Sequence, residues 1–337
     1  MRKIALLTCS IICLVVLLSC VKCWSDIGVN TEFNLPVIDG RYCRPMISGN
    51  WVVALRHKQN YSGVLCINLT DNQIFEVYKG QAYWSTISGT TVTLLGCTDN
   101  VDSLKSLKGE DSKILNSLII FDLSTWHYSA PTISTRAAWH TTISGKYIAY
   151  EHRSRIYLLD MTTGFLRQIS SDEPLYSIPE IGGDYVVYRE KKTNTEWHII
   201  CYQISTGRQF NVTEDASLGD NWGVTDGNNI VWWSKNGVVV YNTATSNSFE
   251  IPQGSYPDVD NGIVVYLKKV DSQQRVFATE IATGKEYQIS KGTADEGPSI
   301  DNGRVVWCDK GQAYCAVLDL KVKEKPLAPK DAPMTIN

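Results

Sequence analysis

A hairpin signature recurs along this chain of 337 residues and limits what it can fold into. "IYLLDMTTGFLRQIS" at 156–170 reads as a strand, a Thr-Gly turn and a second strand, and a looser copy, "VFATEIATGKEYQIS", returns at 276–290. Further copies begin at 64, 119, 199, 238 and, degraded, at 315. At the position of Asp160 they carry Asn68, Asp122, Gln203, Asn242, Glu280 and Asp319, polar side chains able to accept hydrogen bonds beside a turn. Between the hairpins stands a second element, a glycine-bearing turn followed by a β-rich run, as in "ISGNWVVAL" from 47, "ISGKYIAYE" from 143 and "IDNGRVVWC" from 300. Gly49, Gly89, Gly145, Gly183, Gly227, Gly262 and Gly303 mark seven such turns, each in a setting that permits positive φ.

Each unit therefore holds four strands: a short one before the glycine turn, the β-rich run after it, and the two arms of the hairpin. Seven units spaced about 35 to 56 residues apart predict an all-β fold, a seven-bladed β-propeller of four-stranded blades in preference to six or eight. A β-sandwich has no need of seven copies, and solenoid repeats are shorter. The repeats place one propeller domain over 33–329 and a loose tail over 330–337. Two segments compete to close the last blade, 323–329 and a strand from "TEFNLPVI" near the N-terminus.

The order of motifs resembles the TolB-like propellers and the propeller domain of the dipeptidyl peptidase family. Their repeats run from a turn glycine through an "IAF"-like strand to "IYxxD" and "TG". The copies that carry the resemblance best are "GKYIAYEHRSRIYLLDMTTGFLRQIS" and "NGIVVYLKKVDSQQRVFATEIATGKEYQIS", and it covers roughly residues 40 to 330. It implies the fold. This chain has "ISG" or "DNG" where TolB repeats have "SPDG", and it lacks room for TolB's separate N-terminal domain. No α/β-hydrolase domain follows and no Gly-x-Ser-x-Gly elbow is present, so the resemblance does not extend to peptidase activity.

A composition of 43% hydrophobic and 20% charged residues fits a packed globular protein, and a net charge of −3 argues against a duplex nucleic-acid binder. Arg2 and Lys3 precede the apolar run "IALLTCSIICLVVLLSC", the pattern of a signal peptide over 1–23, which predicts a secreted, periplasmic or cell-envelope protein. A retained transmembrane anchor is the alternative, since the run approaches the roughly 18 apolar residues that span a bilayer. "LLSC" at 17–20 resembles a bacterial lipoprotein box, and that resemblance implies lipidation of Cys20 and membrane attachment by a lipid anchor; Cys23 offers a competing end point.

Four of the ten cysteines accompany the leader, and six lie in the exported part. Of these, Cys308 and Cys315 stand on the two arms of one hairpin. A turn at Gly311-Gln312 sets them opposite each other as a disulfide pair, and a turn shifted by one residue separates them. There is no Cys-x-x-Cys with a second such pair and the five histidines show no ligand spacing, so neither a metal nor a cofactor is expected.

By analogy with other propellers, the first strand of each blade lines the central channel. Aligning these strands on their turns puts Arg44, Trp84, His140, Ile178, Trp222, Tyr256 and Gly297 in one column at the channel mouth. Arg44, Trp84, His140, Trp222 and Tyr256 form the expected ligand-binding set, with aromatic faces to stack on a sugar or grip a peptide. The competing reading makes them blade-to-blade packing residues. Loops at 57–61, 151–155, 189–192 and 268–269 add basic groups to the same face. The expected function is a noncatalytic binding propeller, monomeric, with a protein or glycan partner in the cell envelope and no nucleic acid. The alternative is a carbohydrate-active enzyme, a propeller-fold polysaccharide lyase or a glycosidase, with His140, His152 and Arg153 as its catalytic candidates.

Overall fold

The computed structural model describes residues 28–58, 61–97, 116–129, 138–173, 175–193, 196–213 and 222–319. The expected leader with Cys20, the tail and the closing candidate at 323–329 lie outside the described residues. The strands form seven four-stranded antiparallel sheets, a seven-bladed β-propeller, and no helix occurs among the described residues. Blades I to VI run in chain order through residues 41–79, 82–129, 138–168, 176–211, 223–252 and 254–288. Blade VII takes three strands from 299–319 and its fourth from Gly28–Asn34, which pairs antiparallel with Gln312–Asp319 and sets Phe33 opposite Cys315. The N-terminal strand thus closes the ring.

No single centre holds the molecule together. Seven apolar clusters each fill one blade-to-blade interface, such as Ile156, Tyr176 and Tyr188 between blades III and IV, or Val265, Val276 and Trp307 between blades VI and VII. Burial of each large side chain contributes about 1.5–3 kcal/mol. Trp307, 1% exposed and stacked on Tyr314, anchors the closing blade.

The face opposite the mouth is tied blade to blade through the glycine turns. Gly49, Gly89, Gly145 and Gly183 hold φ of 54–58° at the first turn position, whereas Asn261-Gly262 and Asn302-Gly303 are positive at both, the two backbone forms that suit tight hairpins. On four blades the residue closing the first strand reaches the next blade's turn: Gly89 N donates to Ser48 (2.9 Å), Gly145 N to Ser88 (3.0 Å), Asn302 N to Asp260 (2.7 Å) and Gly49 N to Asp301 (2.5 Å). Asp226 accepts from Gly262 in the same manner at 3.1 Å. Blade IV has Gly182 at this position, and there the backbones approach so closely that a Cβ would stand 1.9 Å from the Thr225 carbonyl oxygen.

The outer hairpins follow the sequence reading. Asn68, Asp160 and Asn242 each accept a backbone N–H two residues on, at 2.9–3.2 Å, and Gly164, Gly207 and Gly284 take left-handed φ of 69–71°. One expectation fails. The turn between the second and third strands of blade VII is Lys310-Gly311, one residue earlier than expected, so Cys308 faces Ala313 and Cys315 faces Val306. Both cysteines are buried free thiols, and no disulfide joins them.

Candidate binding site at the channel mouth

The first strand is the innermost edge of each sheet, so its outer row of N–H groups needs no sheet partner and proline is tolerated there. Pro45, Pro179 and Pro257 occupy that row, and at each the strand breaks register: two residues oppose one between Cys43 and Met46, Ser177 and Glu180, and Ser255 and Asp258. The residues before these prolines, Arg44, Ile178 and Tyr256, hold left-handed φ of 48°, 52° and 50°. Such a conformation in a non-glycine residue costs of order 1–3 kcal/mol, and it recurs here on three blades at one level of the mouth. Bulges also interrupt the first strands of blades II and III, at Tyr83 and at Trp139-His140. A bulge re-aims side chains beside a sheet edge.

Carboxylates from the preceding blade catch two of the freed amides. Arg44 N donates to Glu296, and Ile178 N lies 3.4 Å from Glu151 Oε2. The same Glu151 oxygen is 3.3 Å from His140 Nδ1.

Four of the five expected ligand-binding residues come together. Trp84 lies edge-on to His140 with centroids 4.8 Å apart, carries the Arg44 guanidinium over its face at 4.7 Å, and meets Trp222 at 5.3 Å. Trp84 belongs to blade II and Trp222 leads into blade V, so this last contact crosses the ring and plugs the passage. Both indoles are held by hydrogen bonds, Trp84 Nε1 to the Thr141 carbonyl (2.9 Å) and Trp222 Nε1 to Glu180 (3.2 Å). Trp84 is only 6% exposed, the packing role weighed against ligand binding for it. Tyr256 stands apart from this group, 48% exposed, against Trp233 at 4.7 Å and beside Gly297, where a Cβ would come within 2.9 Å of the tyrosine's own Cβ.

The mouth face stands above this tryptophan contact. Its exposed aromatics are Tyr83, Trp139 and Tyr256, and Trp139 is the most open at 60%. Tyr83 and Trp139 escape a reading by strand alternation because each is the extra residue of a bulge. Part of the charge in the basic loops is paired: Lys58 with Asp39, Lys192 with Glu190 at 2.6 Å and Lys268 with Glu286 at 2.8 Å, while Arg189 lies over the Trp197 ring. The three catalytic candidates do not converge. Glu151 reaches blade IV and bonds His140, whose ring packs on Trp84 of blade II, whereas His152, next along the strand from Glu151, lies against Tyr157, and Arg153 is an exposed turn residue with φ of 49°.

Beneath the plug, one layer deeper on the first strands, the register aligns Met46, Thr86, Thr142, Glu180, Val224, Asp258 and Ser299. Two carboxyls here line the closed channel. Glu180 is half-buried, and desolvation pushes its pKa up to about 8, with the charge of Asp258 acting in the same direction and hydrogen bonds from Thr142 and Trp222 opposing. Desolvation likewise raises Asp258 to about 6 against hydrogen bonds from the Ile300 and Val259 amides and Ser299. Sequence reading missed both; the signal was a carboxylate two residues beyond the mouth column, where other blades carry Thr, Ser, Val or Met. Among the described residues no group of three or more His, Cys, Asp or Glu side chains is arranged to hold a metal.

No protein-family model matches the sequence, and no curated protein matches it. Solved structures do match in fold. The β-propeller domain of the trilobed protease from Pyrococcus furiosus, described as having an open velcro topology, aligns with a TM-score of 0.58 and 14% identity over 79% of this chain and 88% of that one. An oligogalacturonate lyase from Vibrio parahaemolyticus aligns at 0.60 and 13% identity over 87% and 98%. Acylaminoacyl peptidase from Pyrococcus horikoshii aligns at 0.60 and 13% over 80% of this chain, which spans 49% of the peptidase. The chain is thus similar in fold to peptidase-type propellers, as its repeats indicated.

Proposed function

We propose that the chain is an exported binding propeller that recognises a glycan or protein partner through the channel-mouth face. The observation that carries this reading is the rim itself: Tyr83, Trp139 and Tyr256 project from bulged first strands around a channel that Trp84 and Trp222 close. Exposed aromatic faces beside Arg44 and His140 suit stacking on sugar rings or peptide side chains. The strained backbone at Arg44, Ile178 and Tyr256 fits a recognition surface whose geometry is set in advance.

The enzyme reading draws support from the pairing of His140 with Glu151, a base with an orienting carboxylate, and from the lyase neighbour, which this chain spans almost completely. It is weakened by the separation of His152 and Arg153 from that pair. A screen of the purified protein against a glycan array and uronate polysaccharides, following binding together with release of unsaturated product, separates the two. Binding without turnover supports the recognition role. Turnover abolished in His140→Ala with the fold intact replaces it with the lyase.

A further inference from the structure

Nine large hydrophobic side chains are exposed among the described residues, and they divide by face. Five belong to the mouth. The other four, Ile74, Trp126, Phe165 and Phe249, lie in or beside the outer hairpin turns of blades I, II, III and V on the opposite face, the underside. Trp126 is the telling one. It occupies the left-handed turn position that blades III, IV and VI give to Gly164, Gly207 and Gly284, with φ of 60°. Phe75 at 4.8 Å and Phe121 at 5.8 Å buttress its ring, yet 49% of the residue remains open. A tryptophan is thereby held outward where the fold favours glycine.

The underside is also uneven in charge. The inner turns of blades I to III begin at Ser48, Ser88 and Ser144, whereas those of blades V to VII carry Asp226, Asp260 and Asp301. Ile74, Trp126 and Phe165 share the sector of the serine turns, where Asp160 of the outer hairpins is paired with Lys146 and Asp71 and Asp122 add acid; Phe249 stands across the ring. The first described residue, Gly28, pairs with Asp319 at the underside end of blade VII, next to blade I. The residues before it include the apolar run 4–20, and the eight residues from Cys20 to Gly28 reach at most about 28 Å when extended.

We propose that the underside rests on a lipid bilayer, with Ile74, Trp126 and Phe165 entering the interfacial layer and the mouth facing away. The inference depends on the N-terminal segment acting as an anchor, and it is independent of what the mouth binds. Three side chains on separate turn tips of adjacent blades form no groove for a protein segment. A bilayer needs no complementary shape, and an indole is suited to its headgroup layer.

The test reconstitutes the full chain into phosphatidylcholine vesicles whose acyl chains are brominated near the headgroup and reads quenching of tryptophan fluorescence. Trp126→Phe is expected to remove a measurable share of the quenching seen with the parent chain, while Trp139→Phe removes none. Binding of a mouth ligand stays unchanged in Trp126→Phe, which separates this proposal from the recognition role. Equal quenching in the parent and Trp126→Phe, loss in Trp139→Phe, or a chain that does not join the vesicles overturns it.

Discussion

Gly182 and Glu180 sit two residues apart on one strand and constrain the ring in different ways. A methyl group at Gly182 would press into the Thr225 carbonyl, so Gly182→Ala is expected to lower stability by about 3 kcal/mol, the upper part of the overpacking range. At Gly89 nothing stands within 4 Å of an added Cβ, and Gly89→Ala pays only for the left-handed backbone, about 1 to 2 kcal/mol. Urea unfolding of the two variants compares a contact with a torsion. Glu180 makes a pH prediction. Its carboxyl binds a proton more tightly in the fold than at its ordinary value of 4.5, so its favourable contribution is complete below that pH and is lost as pH rises towards about 8. Asp258 acts the same way between 3.8 and about 6. Thermal unfolding is expected to show stability falling between about pH 5 and pH 8, with a flatter profile in Glu180→Gln. An equal slope in the variant would remove Glu180 as the cause. The mouth column was legible because turn glycines fix the phase of each first strand. Trp139 was not, since an extra residue in a bulge breaks that phase.

At the level of elements, turn chemistry was read almost completely from sequence because it is local. Asp160 and Gly164 set their hairpin through an Asx bond and a positive φ, and both features are written in adjacent residues. The hairpin at 308–315 shows the limit. Lys310-Gly311 and Gly311-Gln312 are both two-residue turns open to this sequence, and both leave Cys308, Ala313 and Cys315 on the face towards blade I, so the apolar pattern does not choose between them; the chain takes Lys310-Gly311, with positive φ at both residues. Selecting Lys310-Gly311 separates the cysteines. Protein purified without reductant, unfolded and alkylated is therefore expected to carry label on both Cys308 and Cys315. A peptide linking the two would show that the register is wrong. Closure was likewise left open by sequence, because one missing fourth strand can be supplied from either end, and pairing across the seam selects Gly28–Asn34.

For the whole molecule, seven repeats made the architecture legible, since each needs a neighbour to bury its apolar faces and a ring supplies one to all. The plug was not legible, because no local pattern shows that Trp84 and Trp222 meet across a channel. That contact moves recognition outward to the rim. The most direct test measures binding of whichever glycan or protein the screen identifies to Trp139→Ala and Tyr256→Gly, with Phe165→Ala on the underside as control. Glycine suits the left-handed backbone at 256, so that variant is expected to fold as the parent does. The account predicts at least about tenfold weaker binding in both rim variants, a loss of about 1.4 kcal/mol or more, with the control unchanged. Full affinity in both rim variants, or a loss confined to Phe165→Ala, would contradict it.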